Sequence, residues 1–86
     1  MPTQAEVMDF VLREISKASG TPKNRLKPGH KLKADLAIAH ENFVVLAQNL
    51  RAFIKSHKPA NTLVLKEIET ASATVGTVTQ LVQDRV

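Results

Sequence analysis

The middle of the chain carries the feature that constrains the fold most, a run of apolar residues at helical spacing. The apolar positions recur at intervals of four, three and four residues, at Phe43, Ala47, Leu50 and Ile54. This spacing lines one face of an α-helix and does not fit the two-residue alternation of a strand. Pro59 ends the pattern, because the residue before a proline disfavours helical geometry. The sequence therefore predicts a helix over residues 39–56 and a core formed by helix packing.

The N-terminal segment predicts another helix with a recognisable start and stop. Thr3 is followed three residues later by Glu6, which is the pattern of a capping box. The residues behind it share helical spacing on one broad apolar face: Val7, Met8, Val11, Leu12, Ile15 and Ala18. Gly20 supplies a helix stop and Pro22 blocks continuation, so we expect this helix over residues 4–18.

A long polar connection, residues 19–38, joins these two helices. Leu26, Leu32 and Leu36 interrupt it and are its expected anchors to the core. The connection is also basic, since positions 17 to 33 hold six lysines and arginines and no acid, in a chain of net charge +4. Nucleic acid, anionic lipid headgroups and acidic protein surfaces are all attracted by such a field, and charge alone does not choose among them.

The C-terminal third predicts two further helices. Asn61 or Thr62 would cap a short helix over residues 62–69, and Thr74 would cap a last helix over residues 75–85, where valines share a face. β-Branched residues near this last start weaken the helical signal there.

The size of the chain makes a single domain, residues 1–86, the expectation. Because there is no cysteine, neither a disulfide nor a thiolate metal site can support the core. We therefore predict an all-α bundle of three long helices and one short one. The apolar stripe of the 39–56 helix should face inward against Val11, Ile15 and Val78.

Three segments of the chain are similar to recurring sequence motifs of the acyl and peptidyl carrier proteins, in the same order and spacing. They are Arg25, Leu26, Lys27 and Pro28 leading to Leu32, then Asp35 and Leu36, then Thr74, Val75 and Gly76 followed by Leu81 and Val82. The layout of helices and loop also resembles that family over almost the whole chain. The resemblance implies an acyl-carrier-protein-like four-helix bundle.

The chain departs from that family at the position that matters most for its chemistry. In carrier proteins, Asp-Leu is followed by two small residues and then Asp-Ser-Leu, whose serine is esterified by phosphopantetheine at the start of the second helix. Here positions 37–41 read Ala, Ile, Ala, His and Glu, so that His40 stands at the serine position. The four serines lie on other segments. The resemblance therefore implies a carrier-like domain that holds no cofactor.

The resemblance also implies where a partner docks, because carrier proteins present the loop and the second helix to their partners. That helix is usually acidic, whereas here Glu41 is its one acid. The charge reversal implies a protein partner with an acidic surface, which would contact one basic patch formed by the loop and the second helix. The resemblance implies that this partner acts near lipid, polyketide or peptide biosynthesis. The expected contact residues are Arg25, Lys27, Lys31, Lys33, Glu41, Val45, Arg51 and Lys55.

Two other functions stay open on the sequence. One is a working acyl carrier with a different attachment, and the other is a basic binder of nucleic acid or of an anionic membrane surface. Base stacking is poorly supported, because the three aromatic residues, Phe10, Phe43 and Phe53, all lie where helices would bury them.

No catalytic or metal-binding constellation is visible, so we do not expect an enzyme. His40 could act as a base at a helix start, but its adjacent Glu41 is the one acid near it in sequence and an exposed surface role is favoured. His30 and His57 lie on separate segments without acidic companions, which does not predict a metal site. With neither an apolar signal core nor a membrane-spanning run, we expect a soluble, cytoplasmic protein.

Overall fold

The computed structural model describes residues 2–86. It has three α-helices: α1 (Gln4–Ser19), α2 (His40–His57) and α3 (Val75–Arg85). Two short 3₁₀ turns, Lys23–Arg25 and Leu65–Glu67, lie in the connections. Within these residues there is no β-strand, and one isolated bridge pairs Lys31 with Thr74. The prediction of an all-helical fold is confirmed.

The bounds of the three α-helices lie within one residue of the predicted ranges, because their ends carry local signals. At the start of α1, Thr3 Oγ1 accepts a hydrogen bond from Glu6 N–H at 3.1 Å, and the Glu6 carboxylate accepts one from Thr3 N–H at 3.4 Å. At its end, Gly20 has a φ of 75°, the left-handed geometry that glycine adopts without strain. Thr74 caps α3 by accepting from Thr77 N–H at 3.1 Å.

The short helix expected over residues 62–69 is a 3₁₀ turn of three residues instead. Leu63 and Ile68 are both fully buried. Residues five apart on an α-helix point more than a right angle away from each other, so one continuous helix could not bury both. An extended entry followed by a tight turn brings both side chains into the core.

The core lies where α1 packs along both α2 and α3, whereas α2 and α3 touch each other at few positions. The seven residues predicted to face inward are all buried: Val11, Ile15, Phe43, Ala47, Leu50, Ile54 and Val78. Leu32 and Leu36 of the loop are also buried, and Leu26 packs half-buried against the core. These leucines hold the long connection to the bundle as expected.

Two of the three phenylalanines differ from the prediction that helices would bury them. Phe43 is fully buried, but Phe10 and Phe53 are only half-buried. Their rings stack at the edge of the α1–α2 contact with centroids 4.1 Å apart and planes 13° from parallel. Each ring therefore covers the other in place of a deeper core.

Backbone hydrogen bonds join the loop to the start of α3. Leu32 N–H donates to the Ala73 carbonyl oxygen at 3.1 Å, and Gly76 N–H donates to the Pro28 carbonyl oxygen at 2.9 Å. A side chain at Gly76 would place its Cβ 3.2 Å from the same Pro28 oxygen. The close approach of the two backbones therefore explains the glycine.

Candidate functional site

The chain reaches the start of α2 through a tight turn. Asp35 Oδ2 accepts a hydrogen bond from Lys31 N–H at 2.8 Å, and Asp35 N–H donates back to the Lys31 carbonyl oxygen at 3.0 Å. Ala37 then adopts a φ of 52°, in the left-handed region, and the residues on either side of it are buried. His40 follows as the first residue of α2, with its side chain 65% exposed.

The imidazole of His40 is paired with a carboxylate that the sequence analysis missed. His40 Nδ1 lies 2.8 Å from Glu69 Oε2 and 3.0 Å from Glu69 Oε1. The Glu69 side chain is 18% exposed. The two residues are 29 positions apart, so no local pattern could have linked them. The start of α2 therefore presents an oriented histidine rather than an isolated one.

The turn that carries Glu69 is held in place by its neighbours. Two hydrogen bonds join the Arg85 guanidinium to both oxygens of Glu67, at 2.6 and 2.7 Å, and Val64 N–H donates to the same carboxylate at 2.9 Å. The hydrogen bonds from Arg85, and then the bond from Val64, lower the pKa of Glu67 to about 2. The hydrogen bonds with Glu67 raise the pKa of Arg85. With Ile68 fully buried beside it, Glu69 projects from a fixed support.

The four predicted loop cations, Arg25, Lys27, Lys31 and Lys33, are all exposed. Arg25 ends the first 3₁₀ turn, which packs against α1, where Lys23 forms an ion pair with Asp9. Among residues 2–86 this turn has no neighbour on α2. The turn that carries Arg25 therefore packs against α1, and the merging of the loop cations with those of α2 into one patch stays a prediction.

The four predicted contact residues of α2 are also exposed: Glu41, Val45, Arg51 and Lys55. Val45 is 53% exposed and borders a small groove of about 110 Å³ beside Lys17 and Ala18 of α1. Single exposed apolar side chains are common on protein surfaces, and the contact role of Val45 stays a prediction.

An open cleft of about 300 Å³ lies between α1 and α3 and was not predicted. Met8 and Leu12 of α1 line it together with Leu26 of the loop. Arg25 and Lys27 flank Leu26 in the chain and are exposed. Neither of them lines the cleft, whose polar lining comes from Thr79, Gln80 and Gln83 of α3.

The remaining chemistry of the described residues is sparse. Across residues 2–86, no three histidine, cysteine, aspartate or glutamate side chains are close enough together to hold a metal ion. Over the same range, no helix has the length and apolar character needed to cross a membrane.

Comparisons with known proteins give no relative from which a role could be transferred. No protein-family model matches the chain. Searches of curated proteins and of solved structures also returned no significant match. The function is therefore inferred from the residues of this chain and their geometry alone.

Proposed function

We propose that this chain is a carrier-like interaction module that docks on a protein partner and has lost cofactor attachment. The observation that carries the proposal is the residue at the exposed start of α2. His40 stands where the carrier proteins that the chain resembles have their phosphopantetheine serine, and an imidazole offers no hydroxyl for a phosphodiester. The resemblance implies a role beside lipid, polyketide or peptide biosynthesis.

The contacts among the three segments that carry the resemblance support the proposal. Pro28, from the first segment, accepts a hydrogen bond from Gly76 of the third. Asp35, from the second, bonds the backbone of Lys31, which itself pairs with Thr74. Hydrogen bonds thus connect segments that are far apart in sequence, which supports a common structural role for them.

The serines of the chain give no substitute for the missing one at the start of α2. All four serine side chains are hydrogen-bonded to residues at most five positions away: Ser16, Ser19, Ser56 and Ser72. None of them lies on the turn that leads into α2. This arrangement supports a module without an attached arm over a carrier with a displaced attachment residue.

Charge and shape support a protein partner with an acidic surface. Arg25 and Lys27 are exposed on either side of Leu26, which lines the apolar cleft between α1 and α3, and Arg51 and Lys55 are exposed on α2. Exposed charges of this kind steer association and select partners by complementarity. The apolar cleft adds contact area that a bare polyanion would not use.

The proposal predicts that the protein stays unmodified when incubated with coenzyme A and a promiscuous phosphopantetheinyl transferase. Intact-mass measurement is the readout, and a genuine carrier protein in the same tube serves as the positive control. A gain of one phosphopantetheine on the wild-type chain would refute the loss of attachment, and peptide mapping would locate the group.

The variant His40→Ser separates a missing nucleophile from a missing docking surface. We expect it to be modified poorly, because α2 has a single acid, Glu41, near its start, and Arg51 and Lys55 farther along. Rapid modification of this variant would show that the transferase still recognises the domain and that the serine alone was lost.

A further inference from the structure

The three histidines of the chain differ in what holds their rings. At His40, both oxygens of Glu69 face Nδ1, at 2.8 and 3.0 Å. A carboxylate only accepts hydrogen bonds, so Nδ1 carries the ring proton in the neutral imidazole. The lone pair is then on Nε2, at the end of the ring away from Glu69, in a side chain that is 65% exposed.

The other two histidines lack this arrangement. His30 Nδ1 accepts a hydrogen bond from Lys27 N–H at 3.2 Å, so its lone pair is occupied and its proton is on Nε2. His57 is exposed and packs edge-on against the Phe53 ring, with centroids 4.8 Å apart. Within residues 2–86 no hydrogen bond fixes the tautomer of His57. His40 is therefore distinguished by a carboxylate that orients its ring and fixes its tautomer, in a side chain that is largely exposed.

We propose that His40 Nε2 is a phosphoryl acceptor and that the His40–Glu69 pair is a phosphohistidine site. A nucleophilic side chain is activated when a second group fixes its tautomer and stabilises the charge that develops on it, and Glu69 does both. Glu69 can do so reliably because its turn is anchored by Ile68 and by the ion pair of Glu67 with Arg85. This role goes beyond docking, since it depends on one imidazole and one carboxylate.

The reaction balances with an N-phosphoryl donor of the phosphoramidate class. The Nε2 lone pair attacks phosphorus, a new P–N bond forms at Nε2, and the P–N bond of the donor breaks. Ammonia leaves with the electron pair of that bond and with the protons already on the donor nitrogen. The Nδ1 proton stays on the ring, and the carboxylate of Glu69 stabilises the positive charge of the phosphorylated imidazole.

The test is to incubate the full chain with potassium phosphoramidate near neutral pH and quench it in alkali, where phosphohistidine persists. Peptide mapping by mass spectrometry gives the rate at each histidine, and phosphorus–nitrogen coupling in the ¹⁵N-labelled chain identifies the ring nitrogen. We expect modification of His40 at Nε2 about ten-fold faster than at His57, which is the lower end of the effect that carboxylate partners have on metal-binding histidines.

The matched variant is Glu69→Gln, which keeps the size of the side chain and removes its charge. It should slow His40 about ten-fold and leave His57, the internal reference, unchanged. Circular dichroism reports whether the variant is folded, and if it is not, the ratio of His40 to His57 in the wild-type chain decides. Equal rates at these two histidines, or a His40 rate that does not respond to Glu69→Gln in the folded variant, would overturn the proposal.

Discussion

The ion pair of Glu67 with Arg85 should make the stability of the protein depend on pH in the acid range. Substituting Glu67→Gln removes the charge while keeping the shape of the side chain. In the folded protein the pKa of Glu67 is lowered from 4.5 to about 2. At about 1.4 kcal/mol per pKa unit, this shift corresponds to roughly 3 kcal/mol of gross stabilisation.

The net effect should be smaller, because solvent screens the pair. The side chains of Arg85 and Glu67 are 26% and 32% exposed, so we expect Glu67→Gln to lower the free energy of unfolding by about 1–2 kcal/mol at pH 7. The folded-state pKa is the lower one. The stabilisation is therefore complete above about pH 4.5 and is lost as the pH falls through about 2.

Urea unfolding of the wild type and of Glu67→Gln between pH 7 and pH 2 measures this difference. The two proteins should converge in stability toward the acid end of the series. A double-mutant cycle with Arg85→Gln isolates the pair, because Glu67→Gln should cost little once the guanidinium is gone. A loss that is equal at pH 7 and pH 2, or unchanged in the Arg85→Gln background, would refute the assignment of the stabilisation to this pair.

Two further predictions concern the backbone near the site, and chemical denaturation measures both. Gly76→Ala should lower stability by about 1 kcal/mol because its methyl group would lie 3.2 Å from the Pro28 carbonyl oxygen. Gly29→Ala, which meets open space, is its control, and equal losses would contradict the clash. Ala37→Gly should raise stability by roughly 0.5 kcal/mol, because relief of the left-handed strain at φ 52° exceeds the added unfolded-state entropy. The control is Ala34→Gly, at a position without such strain, which should lower stability. If Ala37→Gly lowered stability as much as Ala34→Gly does, the strain at Ala37 would be contradicted.

The sequence predicts the parts of the fold that are encoded locally. Thr3 and Glu6 lie three residues apart, and their capping box forms as the pattern indicates. The stripe that includes Phe43 and Leu50 is buried because helical spacing alone decides which side chains share a face. Helix ends and helix faces could therefore be assigned without knowledge of the rest of the chain.

The features that the sequence analysis missed depend on residues far apart in the chain. Glu69 meets His40 because the second 3₁₀ turn, which Glu69 follows by two residues, packs against α2. The half-buried stack of Phe10 on Phe53 depends on how α1 and α2 pack against each other, which periodicity does not encode. That His40 stands at the serine position can be seen in the sequence, whereas its pairing with Glu69 is visible only in the three-dimensional structure.

The backbone hydrogen bonds between the loop and the start of α3 join two regions that are far apart in the sequence. Leu32 and Ala73, like Pro28 and Gly76, are joined by backbone bonds that close circuits of more than about 40 residues. Closing such circuits has an entropic cost, which the docking of α3 and the buried leucines of the loop offset. By thermodynamic linkage, any partner that bound the ordered loop would also tighten the docking of α3, and loosening α3 would weaken that binding. Substitutions in α3 would therefore change how well ordered the loop with Arg25 and Lys27 is, although α3 lies at the opposite end of the chain.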